Sequence, residues 1–214
     1  MIYLIILILV FVIFTICIIL INSNAIYEYK EYNDFLSNEE CDELIKISET
    51  KLIDSLVYDS AQGSKDVKAR VSQQCWLKDI ENPVVKKISD KTSQILNLPQ
   101  NYQEQLQVVK YQTGGFFKPH YDACVGDEKY CKSLVSNSTN RYATLLIYLN
   151  DDYNGGETQF PLLNKHVVPK KGKAVLFFNT DTSGTLLDKS LHGGNPVTSG
   201  TKWVCNKWVR LAKY

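Results

Sequence analysis

Hydrophobic and polar positions divide the chain into three stretches. The first is apolar throughout. MIYLIILILVFVIFTICIIL, closed by Ile21, contains no charged side chain. As a helix rising 1.5 Å per residue it would span about 30 Å, the hydrocarbon thickness of a bilayer. A cleavable signal peptide is the competing reading, and Ser23 and Ala25 resemble its cleavage site. Such a peptide has a basic n-region and a shorter apolar core, whereas no Lys or Arg precedes Lys30. The length favours an uncleaved transmembrane signal anchor over 1–21, then a linker over 22–30. An all-round apolar helix has no place in the core of a small domain. The flank mixes Glu28, Lys30 and Glu31, so charge sets no orientation.

The second stretch carries helical spacing. In FLSNEECDELIKISET, Ser37 and Glu40 form a capping box, and Leu44, Ile45 and Ile47 make an apolar stripe. NPVVKKISDKTSQIL opens a second helix, with Asn82 as cap and Pro83 at the first helical position. The third stretch reads as strands. LQVVKY and RYATLLIYLN are rich in β-branched and aromatic residues, and Asn154 to Gly156 marks a turn. HVVPKKGKAVLFFN predicts two short strands around Lys171-Gly172, and TKWVCNKWVRLA predicts a last one. Helices followed by a run of short antiparallel strands predict an α+β domain with a jelly-roll or double-sheet barrel core.

Composition narrows the function classes. A net charge of +1 over 214 residues excludes a nucleic-acid binder that works by bulk phosphate neutralisation. Five cysteines lie beyond the apolar run, at 41, 75, 124, 131 and 205. An odd number cannot pair internally without remainder. Cys124 and Cys131 could close a short loop in an oxidising compartment, or all five could be small buried hydrophobes. Asn137-Ser138-Thr139 is a glycosylation acceptor pattern, in keeping with a lumenal domain behind an anchor.

The candidate chemistry lies in KPHYDAC. On one extended strand, His120 and Asp122 would project from the same face. His192, in SLHGG, lies far along the chain. Two histidines and a carboxylate suit a facial triad that binds Fe(II) and leaves positions open for a co-substrate and dioxygen. Zinc hydrolases use a similar donor set. Lys202 follows His192 in an apolar strand, where an unpaired ammonium is costly to bury. It becomes sensible opposite an anion, such as the far carboxylate of an iron-chelating 2-oxo dicarboxylate. On an edge strand it would be an ordinary solvent-facing lysine.

The ordered series LQVVKYQTGGFFKPHYD, RYATLLIYLN, YNGGETQFP, PKKGKAVLFFN, SLHGG and GTKWVCNKWVR closely resembles the catalytic domain of collagen- and plant-type prolyl 4-hydroxylases. The resemblance runs from about Glu28 to the C-terminus and implies an Fe(II)/2-oxoglutarate dioxygenase domain over 31–214. The implied fold is a double-stranded β-helix, a jelly-roll variant, with supporting helices. The implied metal ligands are His120, Asp122 and His192. Lys202 is implied to pair with 2-oxoglutarate, assisted by Tyr111 and Thr158. The implied reaction uses O2 to convert 2-oxoglutarate to succinate and hydroxylates peptidyl proline, with L-ascorbate rescuing oxidised iron. An endoplasmic reticulum or other secretory lumen would be its setting, with no nucleic acid and no obvious partner subunit.

For a proline-rich or collagen-like peptide the resemblance implies Arg70, Ser72, Glu104, Arg141 and Trp208. An extended polyproline II chain exposes carbonyls and rings, which arginine donors and an aromatic platform suit. Plainer readings stand beside each. Arg70 and Ser72 lie in a polar stretch that suits a mobile loop, Arg141 suits a strand-start surface charge, and Trp208 suits core. Phe116 and Phe117 either wall the site or are core, and His166 reads as a strand-surface histidine. Two alternatives remain. One is a related dioxygenase acting on lysine or another substrate. The other is a non-catalytic jelly-roll module, which would show a decayed ligand set.

Overall fold

The computed structural model describes residues 29–55, 69–126, 131, 135 and 138–214. The expected anchor over 1–21, most of the linker and the acceptor Asn137 lie outside the described residues. Among the described residues, no helix is long and apolar enough to cross a membrane.

Both helices form where their caps lie. α1 spans Asn38–Glu49, with the reciprocal Ser37 and Glu40 capping box in place. α2 spans Pro83–Leu96. The Asn82 side chain accepts from Val84 N–H at 2.7 Å, and Asn97 closes the helix in the left-handed region.

The strands make two main antiparallel sheets. The larger has the order β1 (Lys30–Tyr32), β11 (Ala174–Phe178), β7 (Arg141–Tyr148), β14 (Lys202–Arg210), β5 (Leu106–Tyr111), β4 (Gln73–Leu77) and β2 (Ile53–Asp54). The smaller has the order β10 (Lys165–Val167), β9 (Thr158–Phe160), β12 (His192–Gly194), β6 (Phe116–His120) and β3 (Arg70–Val71). β8 (Asn154–Gly155) and β13 (Val197–Ser199) pair separately. Thus the expected Asn154–Gly156 turn is a short paired strand followed by Gly156, with both glycines at positive φ. Lys30, expected in the linker, pairs with Leu176, and Tyr29 stacks on Phe160.

Period-2 alternation divides the core between the faces of the larger sheet. Leu106, Val108, Ala143, Leu145, Ile147, Ala174, Leu176, Trp203, Cys205 and Val209 pack with Leu44, Val85 and Ile88 of the two helices. The opposite face carries Val109, Tyr111, Leu146, Tyr148, Val175, Phe177 and Val204, packed with Phe160 and Val167 of the smaller sheet. This two-sheet arrangement with helices on one side fits the expected jelly-roll type. Cys41, Cys75 and Cys205 are buried free thiols, whereas Cys124 and Cys131 form a disulfide.

Candidate active site

The site lies between the sheets, and strand pairing builds it. His192 on β12 is the register partner of His120 on β6, so both imidazoles stand on one face, 4.4 Å apart between centroids. A register shift follows at once: Gly194, two residues on, pairs with Phe117, three residues back. This bulge presses the β6 backbone against Gly193, where a Cβ would lie 3.0 Å from both Phe117 O and Pro119 N. A side chain after His192 would therefore press on the β6 backbone.

Asp122 joins them by a different route from the one expected. β6 ends at His120, and Asp122 sits in the bend that follows. Its oxygens still lie 3.7 Å from His120 Nε2 and 3.6 Å from His192 Nε2. One ligand atom from each of the three residues falls within 4.8 Å of the others. His120 Nδ1 is 2.8 Å from Lys118 O and His192 Nδ1 is 2.9 Å from Ser190 O. Donation to a carbonyl places the proton on Nδ1 and leaves Nε2 with its lone pair, as a metal ligand requires. Burial pushes the His192 imidazole down to about 4 despite the neighbouring Asp122, so it stands neutral. Burial would raise the Asp122 carboxyl, but His192, His120 and Arg141 outweigh it and hold it below the usual carboxylate range. The donor set of two imidazoles and one carboxylate fits Fe(II).

Lys202 opens β14 directly opposite Tyr111 on β5. Its ammonium donates to Gly156 O at 2.6 Å and lies 5.4 Å from the Tyr111 ring centroid. Burial pushes it down to about 8, and Glu157 works the other way. Thr158, also buried, accepts from Tyr148 Oη at 2.7 Å. Lys202, Tyr111 and Thr158 line the same cleft as His120, Asp122 and His192, so a buried cation sits beside the triad.

The expected peptide residues separate into two layers. Arg70 and Trp208 line the cleft. Arg70 lies over the Phe117 ring at 4.7 Å and donates from Nε to Ser72 Oγ at 2.7 Å. Phe117 in turn stacks on His120. Behind the wall, Glu104 accepts from Arg141 Nε and Nη2, both at 2.8 Å, and from Arg210 Nε at 3.0 Å. Arg141 lies 3.5 Å over the Trp208 ring, so it is a partly buried structural cation and not a surface charge. His166 is exposed on β10, as expected. Sequence reading missed Thr144, which donates to Asp122 Oδ2 at 2.7 Å, and Asn179, which donates to Thr144 at 2.8 Å.

Two antiparallel sheets enclosing a His–Asp–His set beside a buried lysine define an Fe(II)/2-oxoglutarate oxygenase. The 2OG-Fe(II) oxygenase superfamily pattern matches residues 106–210. Prolyl 4-hydroxylase 5 of Arabidopsis thaliana is 36% identical over 203 residues, covering 86% of this chain and 68% of the plant protein. The viral collagen prolyl hydroxylase of Paramecium Bursaria Chlorella virus-1, solved as a 2OG complex, is 32% identical with a TM-score of 0.67, covering 85% of this chain and 94% of its own. A Trichoplax adhaerens prolyl hydroxylase, solved with a hypoxia inducible factor peptide, shares the fold at 17% identity and a TM-score of 0.62, covering 88% and 86%. The chain belongs to the prolyl 4-hydroxylase family of 2-oxoglutarate- and Fe(II)-dependent oxygenases, whose co-substrates are 2-oxoglutarate and O2.

Proposed function

We propose that this chain hydroxylates peptidyl proline at its 4-position in proline-rich or collagen-like peptides, releasing succinate and CO2 from 2-oxoglutarate. The observation that carries the reading is the buried, cation-bearing end of the cleft beside three converging ligand atoms. His120, Asp122 and His192 would hold Fe(II) through two Nε2 atoms and a carboxylate oxygen. When bound, the iron supplies the dioxygen chemistry. Lys202 supplies the counter-charge for the far carboxylate of 2-oxoglutarate, and Tyr111 and Thr158 offer it hydroxyl groups. Phe117 and Leu146 keep the wall apolar, which excludes water from the reacting groups. Arg70 and the face of Trp208 receive the extended peptide, with Arg141, Glu104 and Ser72 holding those two in place.

L-ascorbate fits as the reductant that restores iron oxidised in turnovers without peptide. The apolar run over 1–21 supports a single-pass anchor, and with the sequon at Asn137 it supports a secretory lumen for the catalytic domain. Carbonate extraction and protease protection of the full chain would test that part.

The activity is tested by succinate release with Fe(II), 2-oxoglutarate and a proline-rich peptide, against a lysine-containing control, followed by mass spectrometry of the peptide. Release stimulated by the proline peptide, with one oxygen added on proline, is expected. Oxygen added on lysine instead would overturn the substrate assignment, and no succinate with either peptide would overturn the activity.

A further inference from the structure

Asp122 is the one member of the triad that no strand holds. Its neighbours in sequence lie in a bend, and its side chain must be fixed from elsewhere. The fixing group is Thr144 on β7. Its hydroxyl donates to Asp122 Oδ2 at 2.7 Å, and the same oxygen accepts from Asn179 Nδ2 at 2.8 Å. A threonine hydroxyl has one hydrogen. Because the Asn179 amide donates to it, that hydrogen is free to point at the carboxylate, so the relay runs one way, Asn179 to Thr144 to Asp122. Thr144 and Asn179 are both 0% exposed. Asn179 is anchored in turn, its backbone N–H donating to Tyr142 O at 2.7 Å and its carbonyl accepting from Leu187 N–H at 2.9 Å.

We propose that Thr144, oriented by Asn179, is a positioning residue that fixes the Asp122 carboxylate for ligation through a single oxygen. The inference rests on the metal-site reading above. Its chemical sense follows from coordination. An octahedral ion held by three protein atoms and a two-atom chelate has one position left. A carboxylate free to rotate and bind through both oxygens would fill it. A hydrogen bond from a buried hydroxyl commits one oxygen and stops that rotation. Groups that orient metal ligands in this way typically change metal affinity 10–100-fold when removed.

The test uses the full chain and reads metal binding directly, by titration of the apo protein with Co(II) and its visible absorption. Thr144→Val keeps the β-branched shape and removes the donor. Its Co(II) affinity is expected to fall roughly 10–100-fold, with the band shape altered. Thr144→Ser keeps the hydroxyl and is expected to return affinity to near the parent value. Asn179→Asp is isosteric but cannot donate, so it draws the Thr144 hydrogen away from Asp122. It should show the same loss, and it carries the test if Thr144→Val fails to melt cooperatively. Parent-like affinity and band shape in Thr144→Val, or in Asn179→Asp where only that variant folds, would overturn the proposal. A parent protein that binds no Co(II) or Fe(II) would instead overturn the metal-site reading.

Discussion

Lys202, which lines the cleft, meets Gly156, its buried ammonium donating to the glycine carbonyl at 2.6 Å. A neutral carbonyl satisfies one of three donors and none of the charge. A buried cation left in this state is destabilising to the empty protein and useful only when an anion arrives. Function and stability are therefore opposed at this residue.

Replacing Lys202 with Met separates the two. The thioether fills much of the same volume without charge. The apo protein is expected to gain stability, by up to about 3 kcal/mol on the scale of a fully buried lysine. Affinity for 2-oxoglutarate is expected to fall roughly a hundredfold or more, while Co(II) affinity stays near that of the parent. Thermal melting and separate titrations of metal and co-substrate check the three outcomes.

The same lysine sets a pH dependence whose sign can be worked out. Its folded value is lowered to about 8, below the roughly 10.4 of an unfolded lysine. Between these values the unfolded chain binds more protons, so stability contributed at this site rises with pH. Co-substrate affinity moves the other way. Above about pH 8 the free protein increasingly presents a neutral amine, and each further pH unit weakens binding by up to about tenfold. Denaturant midpoints and 2-oxoglutarate titrations between pH 7 and 10 measure both slopes, and Lys202→Met should flatten both.

The disulfide between Cys124 and Cys131 begins two residues after Asp122 and closes a sequence separation of 7. Asn140 braces the same point, its side chain accepting from Cys124 N–H at 2.9 Å and donating to Cys124 O at 3.0 Å. A loop this short is worth about 2 kcal/mol in chain entropy. The double Ser variant is expected to be less stable by that amount, read as a lower melting temperature. It should also bind Co(II) less tightly, because the bend that carries Asp122 loses one of its braces.

Much of this was legible because it is local. The Ser37–Glu40 and Asn82–Pro83 helix starts need only residues within one turn of each other, and both formed as read. The long strands at 141–148 and 202–210 announce themselves by β-branched and aromatic density. His120, Asp122, His192 and Lys202 stand out because their chemistry is scarce in apolar surroundings. The reason given for the first pair was nonetheless wrong in detail, since the strand stops at His120 and a bend delivers Asp122. Thr144 and Asn179 were illegible for the opposite reason. A threonine inside a strand reads as a strand former, and an asparagine after one reads as a turn residue. Only the pairing of β7 with β11, set by non-local contacts, shows that the two meet. The burial of Glu104 between two arginines is non-local in the same way.

Gly155 offers a steric test of the short β8–β13 pairing that lies next to the Lys202 pocket. It has φ +69°, and a Cβ there would lie 2.4 Å from Pro196 O. Gly184 has φ +87° with nothing within 4 Å. Ala at 184 meets only the backbone penalty of about 1 kcal/mol. Ala at 155 adds a clash with backbone that cannot yield by rotating a side chain. Gly155→Ala is expected to lower the melting temperature well beyond Gly184→Ala, and to weaken 2-oxoglutarate binding through the displaced Gly156 carbonyl.

Glu104 connects the peptide wall to the metal. Its carboxylate holds Arg141, which lies over Trp208 and also donates to Asp122 O at 3.4 Å, and it holds Arg210 as well. Burial would raise Glu104, but its hydrogen bonds and charge contacts with Arg141 and Arg210 outweigh that and hold it below the usual carboxylate range. A depressed carboxyl contributes stability above the unfolded value of about 4.3, and that contribution is lost as pH falls through the folded value. Glu104→Gln keeps the shape and deletes the charge, which for a buried ion cluster costs about 3–5 kcal/mol. The gap between parent and Glu104→Gln should be full at pH 7 and shrink as pH drops below about 4, where the unfolded parent chain takes up the proton first and the folded carboxyl follows at its lower value. A gap that stays constant with pH would mean that packing, and not charge, makes Glu104 important. Among molecules that remain folded, the variant should raise KM for peptide more than KM for 2-oxoglutarate, because Arg141 braces Trp208 and not Lys202.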